Sequence, residues 1–244
     1  MNYLESILKM TIPFHLYWVV IIAIIYIIIH KYSEYKVTRV LDIYLNYIPV
    51  LTHEIGHIIF NRLSGGKADD LVIVVSPNER IETSQQGFAI TRSKNRLGQI
   101  ITTFGGYIMP PIMLYIGIFT IQNQTPSLFI IAYLVIFVYY LWITSRKLVP
   151  LIVASLLTIT LVLLFKQDTT VMMNMILNMT HHLILGVLLG EVVQSSITII
   201  KLTVSKDAPT WDGSMLKSLT HLPAFLFSVI WVVINFYTVW QLFV

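Results

Sequence analysis

From Phe14 to His30 the chain carries no Asp, Glu, Lys or Arg, and runs of similar apolarity recur down to the C-terminus. A helix needs roughly 20 mainly apolar residues to cross the hydrocarbon core of a bilayer. Composition points the same way: 56% of the 244 residues are hydrophobic and 11% are charged. Soluble domains carry about 25% charged residues, so this chain has too few polar groups to cover a water-facing globule. The expected fold is an all-α polytopic membrane protein, a single domain over residues 1–244.

Seven candidate spans follow from the apolar runs: Phe14–His30, Val40–Leu63, Gln99–Ile121, Ser127–Thr144, Leu148–Phe165, Val171–Leu202 and Leu222–Val244. The bundle therefore has six or seven transmembrane helices, because only Ser145, Arg146 and Lys147 separate the fourth from the fifth. The sixth is too long for one straight span and is expected to break near Gly190 or to run on at the interface. Met1–Pro13 lacks a small-residue cleavage site, so the first span is expected to be retained. Between the second and third spans, Ser64–Arg96 differs in character. It holds Gly65-Gly66, the β-branched run Leu71–Val75, Ser76-Pro77-Asn78 and then Gln85–Thr91. This pattern predicts a small β-hairpin or sheet near the membrane surface.

The net charge of +4 does not indicate nucleic acid, because the basic residues flank apolar runs and form no stripe. With seven alternating spans, Lys9, Arg62, Lys67, Arg80, Arg92, Lys94, Arg96, Arg146, Lys147, Lys201, Lys206 and Lys217 fall on one side. Lys31, Lys36, Arg39 and Lys166 fall on the other. The basic excess predicts that the N-terminus and the Ser64–Arg96 segment are cytoplasmic in a multi-pass cell-membrane protein.

The chemistry sits in Thr52-His53-Glu54-Ile55-Gly56-His57. Residues four apart share a helix face, so His53 and His57 present two imidazoles to one ion. Glu54 reaches water beside that ion and not the ion itself. It suits a general base that takes a proton and returns it to a leaving amine. The chain has no Cys, so a metal must be held by His, Asp or Glu. A carboxylate between two histidines in an apolar span costs several kcal/mol unless it is paired, metal-bound or wet.

This motif resembles the site-two protease-like family of membrane-embedded zinc metallopeptidases, whose members often carry Gly before the second His, as Gly56 stands here. The resemblance extends in order from about Pro49 to Pro223, with Phe104-Gly105-Gly106-Tyr107 similar to a small-residue segment that opens the next core helix. It implies one zinc ion per chain, held by His53, His57 and a later Asp. Asp212 fits that role by its spacing to Leu216, Thr220 and Pro223, although Trp211-Asp212-Gly213 is shorter than the usual form. Topology agrees. His57 lies about 7–8 Å of helix from Arg62, on the side assigned to the Asp212 loop.

Asp207 and Glu191 remain alternative third ligands. Glu191, followed by Gln194, Ser195 and Ser196, reads rather as a polar helix–helix contact. His181 and His182 face about 100° apart on a helix and read as interfacial, and His221 as a helix-end residue. Aromatic stripes read as lipid-facing or packed bulk. The implied activity is hydrolysis of peptide bonds in or near the membrane, with a membrane protein or peptide as substrate and the bilayer as partner. A β element close to the catalytic helix would let extended substrate add to a sheet edge. The alternative is a non-enzymatic or inactive metal-binding scaffold or transporter-like protein, against which no internal repeat is visible.

Overall fold

The computed structural model describes residues 12–156 and 170–244. Ten helices and one two-stranded antiparallel sheet are present among them. In chain order these are α1 (Leu16–Lys31), α2 (Lys36–Leu45), α3 (Tyr47–Leu63), β1 (Lys67–Ile73), α4 (Pro77–Thr83), β2 (Gly87–Arg92), α5 (Arg96–Gln122) and α6 (Pro126–Ile143). A helix over 148–156, α7, follows. Then come α8 (Thr170–Val204), α9 (Asp212–Thr220) and α10 (Ala224–Trp240).

Three helices, Arg96–Gln122, Pro126–Ile143 and Asn174–Val204, are long and apolar enough to cross a membrane. Leu16–Lys31 and Ala224–Trp240 are apolar but shorter. The expected fifth span falls partly on residues 157–165, outside those described. The expected second span is not one helix. Pro49 has no N–H for the carbonyl of Leu45, and its ring crowds that carbonyl, so the run divides at Asn46 into α2 and α3. The expected sixth span does not break near Gly190. It runs through as one helix of 35 residues, about 52 Å at 1.5 Å per residue.

The insertion forms the expected hairpin, with a helix at its tip. Ser76 caps α4 by accepting from the Glu79 N–H, and Pro77 begins it, because the first helical position needs no N–H donor. Gly65 ends α3 at φ 81°, a left-handed position that glycine takes at no steric cost. The pairing runs from Lys67↔Arg92 to Ile73↔Gly87, with a bulge between Ala68 and Asp70. The hairpin lies along α3. Gly66 meets Asn61 near the end of α3, and Gly87 meets Val50 near its start.

The helices fix two ends of the bundle. At one end, Phe14, Gln122 and Leu242 line a common cavity, and the His15 N–H donates to His182 Nε2 at 3.0 Å. At the other end, Arg96 Nε donates to the Leu219 carbonyl at 2.6 Å. Arg146 grips Glu79 through two bonds of 2.7 Å, holding that carboxyl below its usual range. His30, at the end of α1, meets Asp42 at 2.8 Å, and Arg80 of α4 lies 3.8 Å from the same carboxylate.

The loop carrying Lys31, Lys36 and Arg39 is therefore at the same end as the hairpin, not opposite it, because α2 and α3 do not take the chain across the bundle. Of the 16 Lys and Arg residues, all but Lys9 and Lys166 lie at this end, and those two are outside the described residues.

A large apolar core joins α1, α3, α5, α6 and α8. A smaller one, centred on the fully buried Trp231, joins α5, α8, α9 and α10.

Candidate metal centre

Helix α3 carries His53 and His57 one turn apart, and Asp212 opens α9. His53 Nε2 and His57 Nε2 are 3.2 Å apart. Asp212 Oδ2 lies 3.5 Å from each of them. Tetrahedral ligands about 2.0–2.1 Å from a zinc ion stand about 3.3–3.4 Å from one another. The triangle of side-chain atoms thus has the edges of a zinc site.

The protonation pattern fits a cation as well. The main-chain carbonyl of Thr102 accepts a hydrogen bond from His57 Nδ1 at 2.9 Å. That bond puts the ring proton on Nδ1 and leaves the Nε2 lone pair facing His53. Asp212 Oδ2 is buried and makes no hydrogen bond. An orphaned carboxylate oxygen beside two imidazole nitrogens is costly unless an ion takes the lone pairs.

Glycine spaces the helices. A Cβ on Gly106 would lie 2.5 Å from His57 Nε2 and 2.7 Å from His53 Nε2. One on Gly56 would lie 2.5 Å from the Gly105 carbonyl oxygen. α5 thus presents bare backbone to the two imidazoles.

Asp212 is carried by a different device. Leu216 of α9 is fully buried, and Thr220 Oγ1 donates to its carbonyl at 2.7 Å. The Trp211 ring packs 6.3 Å from Tyr107 and 6.1 Å from Trp231, with Gly213 directly beneath it. The spacing of Leu216, Thr220 and Pro223 thus corresponds to an anchored short helix followed by the cap of α10.

Glu54 is 9% exposed and stands outside the ligand triangle. The main chain of β2 at Ala89 lies beside its carboxylate. Among the described residues, His53, His57 and Asp212 form the one such ligand group. Asp207 is exposed, and Glu191 bonds Tyr26 at 2.6 Å instead. His221 caps α9 and meets Arg96 at 3.0 Å. His181 and His182, read as interfacial, are both buried within the protein, packed near Phe129 and Phe14.

Sequence reasoning missed Thr102, whose contribution is a carbonyl that any residue could supply. It also missed Tyr107, set edge-on to the His53 ring at 4.8 Å. Tyr107, Trp211 and Trp231 are not bulk but form a wall beside the centre. Aromatic residues in apolar spans carry no sequence mark of such a role.

No curated protein and no solved structure matches the chain. A family model described as Peptidase M50B-like matches residues 17–242, and the chain belongs to that family of membrane peptidases.

Proposed function

We propose that the protein is a zinc-dependent endopeptidase that cleaves peptide bonds in or near the membrane. The observation that carries this reading is the His53–His57–Asp212 triangle with tetrahedral edges, in a chain of a peptidase family. Zinc held there supplies a Lewis acid that polarises the scissile carbonyl and acidifies water. Glu54, buried beside the triangle and outside it, takes the proton from the attacking water and delivers it to the leaving amine. Thr102 fixes the His57 tautomer, and Gly106 leaves room for both rings.

The Ala89 main chain that meets Glu54 belongs to β2, whose other neighbour is β1. A substrate unwound into an extended strand along that edge brings its peptide bond to the base. The substrate class is a membrane protein or membrane-associated peptide.

Metal analysis of detergent-purified protein tests the ligand set. The expected content is one zinc per chain, lost in His57→Ala and in Asp212→Ala. Full zinc occupancy in Asp212→Ala would remove that residue from the site. No zinc in folded wild type would favour the scaffold reading.

The gathering of basic residues at the active-site end supports a cytoplasmic placement of that end, in a cell membrane that α1 and α10 would cross along with the longer helices. Phe14 and Leu242, which line one cavity, then face the opposite compartment. A C-terminal alkaline phosphatase fusion expressed in a bacterium should be active and a fluorescent-protein fusion dark. The reverse pair of signals defeats the assignment.

A further inference from the structure

A second polar chain crosses the bundle away from the metal ligands. Tyr26 of α1 is buried, and its hydroxyl oxygen touches two others: Glu191 Oε2 of α8 at 2.6 Å and Asn46 Oδ1 at 2.8 Å. Asn46, in the break between α2 and α3, donates through Nδ2 to Gln86 Oε1 at 2.7 Å. The Gln86 carbonyl accepts from the Val74 N–H at 2.9 Å. Gln86 immediately precedes β2, and the main chain of Ala89, three residues on, lies beside Glu54.

Counting protons points to a neutral Glu191. A tyrosine hydroxyl has one proton, and here it goes to Asn46 Oδ1, whose amide is oriented by its bond to Gln86. The 2.6 Å contact with Glu191 Oε2 then needs a second proton, and only the Glu191 carboxyl can supply it. Turning both amides over would reverse the chain and leave Glu191 a carboxylate with a single donor inside an apolar bundle, which is the costlier arrangement.

We propose that Glu191 is a positioning residue, held as a neutral carboxylic acid, whose chain through Tyr26, Asn46 and Gln86 fixes the edge of β2 against Glu54. Its effect on turnover rests on the peptidase reading; its protonation and its hold on the hairpin do not. The titratable and charged groups facing it are Tyr26 and His30 from α1, Asp42 from α2, His53 from α3 and Tyr107 from α5, with Arg80 of α4 behind Asp42. Raising the pH until Glu191 ionises breaks the chain at its inner end, so an alkaline loss of activity belongs to this residue.

Infrared difference spectra of wild type against Glu191→Gln test the first half. A protonated-carboxyl stretch present in wild type and missing in the variant is expected, and its absence overturns the proposal. Hydrogen exchange tests the second half. Glu191→Gln can donate to Tyr26 and should keep wild-type protection over residues 87–92. Glu191→Leu and the volume-conserving Tyr26→Phe should exchange faster there, with zinc content unchanged. Where turnover is measurable, kcat should fall about tenfold or more in these two and hold in Glu191→Gln, which also loses the alkaline limb. Wild-type hairpin protection in both Glu191→Leu and Tyr26→Phe refutes the positioning role. Both spectroscopic readouts decide the matter even in a protein that cleaves nothing.

Discussion

Glu54→Gln should abolish peptide hydrolysis and leave zinc in place. Glutamine has the shape of glutamate and an amide oxygen that can still face the main chain of β2 at Ala89. What it lacks is a basic oxygen to take a proton from water. General-base catalysis contributes about 10²–10⁴-fold, so turnover should drop by about 10³-fold. The metal should stay because Glu54 is not one of the triangle atoms. Zinc content and cleavage of a membrane-peptide substrate, measured on one preparation, check both halves. Retained cleavage would mean that another group is the base. Loss of zinc would mean that Glu54 supports the site directly.

Gly106→Ala should empty the site without touching a ligand. The added methyl carbon would stand 2.5 Å from His57 Nε2 and 2.7 Å from His53 Nε2, well inside van der Waals contact. Neither neighbour yields cheaply. His57 is pinned to the Thr102 carbonyl, and α5 is held against α3 by Gly56 on the Gly105 carbonyl and by Gly105 on the Phe60 ring. Overpacking of this kind costs about 1–3 kcal/mol, and here the displaced atoms are the ligands. Zinc affinity should fall about 100-fold, a loss known for shifted support around metal ligands, as read by chelator competition. Gly98→Ala is the control. Its methyl would meet Asn95 Oδ1 and Ser64 Oγ at 3.3 Å, far from the centre. Wild-type zinc affinity in Gly106→Ala would show that the helices separate more readily than this packing implies.

The sequence made the two histidines of the candidate centre legible for a local reason. His53 and His57 lie on one helix, where a spacing of four guarantees a shared face. Asp212 was singled out only through the family resemblance, whose pattern it fits by its spacing to Leu216, Thr220 and Pro223. The limits of α5, α6 and α10 followed from apolar run length. What escaped was long-range. Pro49 signalled a break in an apolar run, yet the run was long enough to read as one crossing. Treating it so sent Lys31, Lys36 and Arg39 to the wrong end. The hairpin was visible in Leu71–Val75, but its lie along α3 depends on Gly66 and Gly87 meeting side chains of another element. Glu191 was singled out as a polar helix contact and is one. Its partner Tyr26 stood 165 positions away in an unbroken apolar stretch, where nothing distinguished it from a lipid-facing residue.

The division of the ligands between α3 and α9 has a kinetic consequence. Two imidazoles share one helix wedged against α5, whereas the carboxylate rides on a segment of nine residues held by Leu216 and the Trp211 ring. An ion arriving at the proposed centre would meet the imidazoles already set, and the carboxylate would close over it last. Removal would run in reverse, at the rate at which α9 lifts from its aromatic seat. Demetallation would then be governed by a short peripheral helix, while the helix that carries both histidines stays folded.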